Sequence, residues 1–210
     1  MKKRVDLSNH NGTDRMSISD NRESYLEEFG QRWRERLEEI RQEELLVCIL
    51  GPTKDTEYWH KRVQIKNELE SQEINCTCFF LEDELPMARG GLLEGSLRSE
   101  EEILLGDADF IIALDLSAGV LGEIHDFAQD DDLAMKMLLL IPEWYKDGYS
   151  ARGILRDTLA EKYFFTQESL RKCDLVSKCV ERVWLEKQRK YMGRSLIRQV
   201  ELLKKRYHYE

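Results

Sequence analysis

The 210-residue chain is poor in the residues that build metal sites and disulfide frameworks. It has only four histidines, which are scattered, and five cysteines, none of which has CxxC spacing. An odd number of unclustered cysteines argues against a zinc site and predicts buried, reduced thiols. Because a chain of this length can bury about 70% of its unfolded surface, we expect it to fold without a metal or a disulfide.

The chain also lacks long apolar segments and has fewer basic than acidic residues, and both features limit what it can bind. No apolar run approaches the length of a membrane span, and the N-terminal residues MKKRVDLSNHNGTDR lack the apolar core of a signal peptide, so we expect a cytoplasmic protein with no membrane contact. The chain carries 32 Lys and Arg against 41 Asp and Glu, a net charge of −9. This excess of negative charge repels phosphate backbones and argues against direct binding to a nucleic-acid duplex.

Short apolar runs that alternate with helical patterns dominate the middle of the chain. Four of these runs have the length and composition of strands: LLVCIL at 45–50, NCTCFFL at 75–81, FIIAL at 110–114 and KMLLLI at 136–141. A strand-helix order repeated four times predicts an α/β fold, with a flavodoxin- or Rossmann-like parallel sheet flanked by helices.

Three regions are expected along the chain. Residues 1–19 are polar and aperiodic and are predicted to be an arm. Residues 20–150 are predicted to form an α/β nucleotide-binding domain that includes an N-terminal amphipathic helix. Residues 151–210 are predicted to form a C-terminal helical extension, with Gly193 as a hinge between two apolar stripes.

The stretch ADFIIALDLSAGVLGEIHDFA, residues 108–128, carries the two strongest candidates for chemistry. Asp115 closes the buried strand and Glu123 lies in the early turns of the following helix, so both belong to the carboxyl end of the sheet, where α/β folds bind ligands. Desolvation there would raise the pKa of Glu123 and suit it to act as a base or nucleophile. The alternative is a glutamate that only complements the helix dipole.

Paired carboxylates suit the cleavage of a glycosidic bond. One stabilises or attacks the oxocarbenium-like carbon while a second group manages the proton on the leaving group. The base–sugar bond of a nucleoside or of NAD poses the same electrostatic problem, so Glu123 with Asp115 predicts N-glycosidic chemistry.

Further side chains are expected near the same edge of the sheet as substrate contacts. Each also has an ordinary structural explanation as a turn, a loop or core packing. The candidates are Ser117, Gly119, Gly51, Thr53, Tyr145 and Glu102, with Glu101 as the alternative to Glu102.

The order of strand, Asp, small-residue loop and Glu resembles the nucleoside 2-deoxyribosyltransferase family. The family motif reads roughly Asp-Ser-Gly-Thr-x-x-Glu after a strand, and residues 117–124 here read SAGVLGEI. The lead-in of an acidic helix, Ala-Asp and an apolar strand also looks like that family, and the likeness covers residues 45–141. TIR-type domains are similar at this level, since they share the flavodoxin-like sheet and a catalytic glutamate near a small-residue loop.

The resemblance implies an enzyme that cleaves the base–sugar bond of a nucleotide, nucleoside or NAD, with a role in antiviral defence. It makes Glu123 the nucleophile that attacks C1′ and Asp115 a carboxylate on the ligand side, and it implies no cofactor and no metal. Two other classes stay open: a nucleotide sensor without turnover, and an assembly subunit that forms a homo-oligomer or binds a partner protein through its amphipathic helices.

Overall fold

The computed structural model describes residues 18–84, 97–116, 118–146 and 157–207. Five strands are described, and their order in the chain is β1 (Leu46–Leu50), β2 (Thr77–Phe79), β3 (Phe110–Leu114), β4 (Met137–Pro142) and β5 (Glu161–Phe165). The helices around them are α1 (Ile18–Arg41), α2 (Trp59–Leu69), α3 (Leu97–Asp107), α4 (Ala118–Phe127), α5 (Asp131–Met135), α6 (Gln167–Arg171) and α7 (Asp174–Tyr207), with a 3-10 turn at Glu143–Tyr145.

The strands form one parallel sheet in the order β2-β1-β3-β4-β5, which confirms the predicted α/β fold. The chain moves from β1 outward to β2 and then returns to the other side of β1 to form β3. The topological switch point therefore lies between β1 and β3, and ligands in flavodoxin-like sheets of this order bind at that point.

Helices cover both faces of the sheet. On one face, Ile65 and Leu69 of α2 pack with Leu175 and Val183 of α7 against alternate residues of the strands. On the other face, α3, α4 and α5 pack through residues such as Leu105, Ile124, Phe127 and Leu133. All five residues of β3 are buried, as expected for a central strand that has helices on both sides.

The fifth strand corrects the prediction that the sheet has four strands and that the chain after 150 is a helical extension. β5 reads EKYFF and pairs with β4 from Leu138↔Glu161 to Pro142↔Phe165. It is an edge strand, and its first four residues are only half-buried. It therefore begins with two charged residues, Glu161 and Lys162, whereas the inner strands are apolar throughout. The proposed hinge is also wrong, because Gly193 lies inside the uninterrupted helix α7.

Two compact units divide between Glu39 and Ile40, so most of α1 is a unit of its own, whereas the sequence placed this helix in the α/β domain. The predicted polar arm, 1–19, lies outside the described residues except for Ile18 and Ser19, which are in α1. None of the described helices combines the length and the apolar character that crossing a membrane requires.

All five cysteines are free thiols. Cys48, Cys76, Cys78 and Cys179 are buried as expected, but Cys173 is exposed. Burial raises the pKa of Cys76 to about 11 and that of Cys179 to about 12. Both thiols therefore stay protonated near neutral pH, as structural cysteines do.

Candidate functional site

The residues that end β1 and β3 meet at the switch point. Leu50 pairs with Ala113, so the next residues, Gly51 and Leu114, lie side by side. A Cβ atom on Gly51 would lie 3.5 Å from Leu114 Cβ and only 3.0 Å from Arg62 Cδ. Glycine therefore allows the first loop to pass close to β3 and to the side chain of Arg62.

Asp115 follows β3 directly and has an unusual environment. The residue is only 2% exposed, and its backbone N–H donates to the Leu140 carbonyl at 3.0 Å. Its Oδ1 atom is buried and has no hydrogen-bond partner in the described chain. Burial raises the pKa of this carboxyl to about 6 because desolvation penalises the charged form. The group can therefore take up and release a proton near neutral pH.

The helix that carries Glu123 begins three residues after Asp115. α4 runs from Ala118 to Phe127, so Gly119 is its second residue and Glu123 its sixth. At a rise of about 1.5 Å per residue, the backbone of Glu123 lies about 7.5 Å along the axis from the start of α4. Ser117 lies outside the described residues, as does the side chain of Glu123. The structure thus brings the backbone of this helix to the carboxyl end of β3.

A buried arginine, which the sequence analysis missed, supports the loop after β1. Arg62 is 1% exposed, and its guanidinium donates to the carbonyl oxygens of Ile49 (2.9 Å from Nε) and Gly51 (3.2 Å). It also forms two hydrogen bonds with the carboxylate of Glu82, at 2.5 and 2.6 Å. The signal was present, because position 62 falls between Trp59 and Ile65 on the apolar stripe of α2.

A cavity of about 80 Å³ lies beside this arginine. The residues that line it are Leu50, Gly51, Thr53, Arg62, Leu81, Glu82 and Glu101. Two of the predicted contacts, Gly51 and Thr53, are among them. Glu101 lines the cavity and Glu102 does not. Ligand pockets usually measure about 300–1,000 Å³, so this space suits a sugar hydroxyl or a water molecule rather than a whole nucleotide.

Asp115 and the remaining candidates do not line this cavity. Tyr145 is 46% exposed in the turn after β4, where its ring meets that of Trp144 edge-on at 6.0 Å. Glu102 is exposed on α3. His125, which the sequence left without a role, is half-buried on α4, and its Nε2 atom has no hydrogen-bond partner in the described chain. Since it lies two residues after Glu123, it leaves α4 on a different side.

The part of the chain that the structure describes contains no cluster of three or more His, Cys, Asp or Glu residues that could hold a metal ion. No protein-family model matches the chain, and no curated protein matches it significantly.

Proposed function

We propose that the chain is an N-glycosidase or deoxyribosyltransferase-like enzyme that cleaves the base–sugar bond of a nucleotide, a nucleoside or NAD. The observation that carries this proposal is Asp115: a buried carboxyl at the switch point of a flavodoxin-like sheet, with a raised pKa and one oxygen that has no hydrogen-bond partner in the described chain. Perturbed carboxyl groups in such positions are typical of catalytic sites. The helix that follows supplies a second carboxylate, Glu123, as this reaction requires.

In the proposed reaction the carboxylate of Glu123 attacks C1′ of the sugar. The bond from C1′ to the base breaks, its electron pair leaves with the base, and the proton of Asp115 passes to the base nitrogen. Water, or the nitrogen of a second base, then attacks C1′ and releases Glu123, while ionised Asp115 takes the proton of the attacking group. Hydrolysis and transfer differ only in this second nucleophile.

Base release from a panel of substrates tests the activity. The purified chain is incubated with NAD, nucleoside monophosphates and deoxyribonucleosides, and the free base is followed by chromatography. Asp109→Asn is the matched control, since Asp109 lies next to the opposite end of the same strand and should leave turnover unchanged. If every substrate stays intact after prolonged incubation at micromolar enzyme, the catalytic proposal is wrong.

The dependence of the rate on pH tests the role of Asp115. Only the protonated carboxyl can donate to the leaving base, so base release should decline as the pH rises through about 6. In Asp115→Asn the remaining slow reaction should lack this step. A step of the same size in the variant would assign it to another group.

An assembly role is the second candidate, and the apolar stripe of α1 favours it. Tyr25, Leu26, Phe29 and Trp33 are each more than half exposed. Exposed apolar stripes of this size mark protein–protein contacts, so we infer a homo-oligomer or a complex with a partner protein. Light scattering of the wild type and of Phe29→Glu/Trp33→Glu separates the cases, because only an oligomer held by α1 should dissociate.

The cytoplasmic location and the role in antiviral defence are part of the proposed function. Reduced thiols agree with a reducing compartment. Survival of cells that express the wild type or Glu123→Gln during phage infection tests the defence role. Equal survival of the two strains would show that cleavage by Glu123 plays no part in defence.

A further inference from the structure

A second and larger cleft opens on the α2 and α7 face of the sheet. It has a volume of about 490 Å³ and lies between the start of α2 and the short helix α6. Its lining consists of Glu57, Tyr58, His60, Lys61, Gln64, Gln167, Leu170, Arg171 and Cys173. Because α2 and α6 follow the carboxyl ends of β1 and β5, the cleft also lies toward the ligand-binding side of the sheet.

Lys61 is buried, and no carboxylate among the described residues forms an ion pair with its ammonium group. The residue is 6% exposed, and its Nζ donates to Gln64 Oε1 at 3.1 Å and to the Lys172 carbonyl at 3.2 Å. These neutral acceptors satisfy two of its three N–H groups, and within the described residues no carboxylate balances its charge. A buried cation without a counter-ion is unfavourable, and an anion in the cleft would relieve this cost.

Arg171 adds a second positive charge to the same cleft. In the described chain its guanidinium has no carboxylate within ion-pair distance, although the neighbouring Lys172 pairs with Glu168 at 2.5 Å. Glu57 contributes a single negative charge, so the lining carries a net charge of +1 with His60 neutral, in a chain whose net charge is −9. Such a local excess of positive charge attracts anions.

We propose that this cleft binds the phosphate group of a small organic molecule. Arg171 offers a planar pair of donors and Lys61 a compact charge, the two kinds of group that bind phosphate in proteins. Tyr58 and Leu170 provide an apolar wall for the rest of the molecule, and the volume lies within the range of small-molecule pockets. This site is distinct from the switch point and does not depend on cleavage of a base–sugar bond.

Calorimetric titration with AMP, inorganic phosphate and adenosine tests the site in the full chain. We expect AMP and phosphate to bind and adenosine to bind far more weakly. Arg171→Gln should weaken AMP binding by about tenfold, as the loss of a charge-assisted hydrogen bond predicts, and Glu57→Gln should tighten it by about threefold. Arg189→Gln is the control: it removes the same charge from an exposed arginine of α7 outside the cleft and should change nothing.

Three results would overturn the inference. Adenosine that binds as tightly as AMP indicates an apolar site, and equal effects of Arg171→Gln and Arg189→Gln indicate nonspecific attraction. The absence of binding by both AMP and phosphate at millimolar concentration removes the site altogether. If Arg171-dependent binding is found but no base is released from any substrate, only the proposed catalytic function fails.

Discussion

The two ends of β3 carry the same residue type in opposite situations. Asp109 immediately precedes the strand and Asp115 immediately follows it. The Oδ2 atom of Asp109 accepts a hydrogen bond from the backbone N–H of Leu46 at 2.9 Å and another from Lys190 Nζ at 2.7 Å. Asp115 is more deeply buried, yet its Oδ1 atom has no partner in the described chain.

The amino-terminal edge of the sheet, where Asp109 lies, uses its charges to fix elements in place. Lys187 of α7 is fully buried, and its ammonium donates to the carbonyl oxygens of Arg41 and Asn75, both at 2.9 Å. Lys190, one turn along, bonds the Glu44 carbonyl as well as Asp109. Through these hydrogen bonds, Lys187 and Lys190 join α7 to the segments that enter β1, β2 and β3.

At the carboxyl-terminal edge, the Oδ1 atom of Asp115 is buried and has no hydrogen-bond partner among the described residues. A buried carboxylate without a hydrogen bond destabilises the folded state, and selection retains such groups mainly where they serve function. The two ends of one strand therefore hold the same residue type in different environments: Asp109 is bonded to its neighbours, whereas Asp115 is buried with an unpartnered oxygen at the edge where ligands bind in this fold.

The largest effect is expected for Glu123→Gln, which tests whether chemistry is confined to the carboxyl-terminal edge. The amide preserves the size of the side chain but cannot attack C1′, so base release should fall by about ten-thousand-fold or more. The unfolding midpoint should change little. Retention of a tenth of the wild-type rate would remove Glu123 from the mechanism and leave Asp115 without its proposed partner.

Arg62→Met tests whether the other buried charge at the carboxyl-terminal edge stabilises the fold, in contrast to Asp115. This arginine has partners for its charge, so its loss would leave the Ile49 carbonyl and the Glu82 carboxylate without theirs. Because Glu82 is 40% exposed and can be hydrated, the main cost is the loss of donors to the Ile49 and Gly51 carbonyls, and we expect the free energy of unfolding to fall by about 3 kcal/mol.

Denaturation by urea measures this change, with Arg189→Met as the control. Arg189 is mostly exposed and shares Glu186 with Arg182, so its loss should change stability by less than about 0.5 kcal/mol. Equal stability of the two variants would mean that the network around Arg62 contributes nothing.

Asp115→Asn should stabilise the protein in a pH-dependent way. The folded-state pKa is raised from 3.8 to about 6, so above pH 6 the ionised group lowers stability, and at about 1.4 kcal/mol per pKa unit this amounts to about 3 kcal/mol. The penalty disappears as the pH falls from about 6 to about 4, because the folded state then holds a proton.

The difference in unfolding free energy between variant and wild type, measured from pH 4 to pH 8, should therefore grow from near zero to its full size over that window. A variant that is less stable than the wild type at pH 8 would show that Asp115 has a structural partner after all. Asp115 would then resemble Asp109, whose carboxylate is held by structural hydrogen bonds.

The fold was predictable because the inner strands are continuous apolar runs with turn residues at their ends. β3 was predicted at its observed bounds, Phe110–Leu114, since every residue in it is apolar and buried. β5 was missed because it begins with the charged residues Glu161 and Lys162, whereas β2, at the other edge of the sheet, lies in the apolar run 75–81 and was predicted. Single-sequence patterns report burial on both faces far better than pairing at an edge.

The candidate site was predictable in position but not in energetics. The place of Asp115 after a central strand followed from the sequence, and Gly51 and Thr53 line the small cavity beside Arg62. Asp115 Oδ1 has no hydrogen-bond partner in the described chain, whereas the guanidinium of Arg62 has several, and this difference depends on which side chains the folded chain brings together across the sheet. Local spacing contains no information on such contacts between residues distant in sequence.

Asp109→Asn is expected to have the smallest effect and the opposite sign to Asp115→Asn. The asparagine Oδ1 atom can still accept from the Leu46 N–H, so the variant loses only the charge attraction to Lys190. The pair is about one-third exposed, and such pairs contribute about 1 kcal/mol or less, so stability at pH 7 should fall by about that amount while base release stays unchanged.

Urea denaturation of both variants in one buffer measures the two signs together. Stabilisation by both substitutions would mean that the whole sheet suffers from excess negative charge, and Asp115 would then lose its distinction as a site residue.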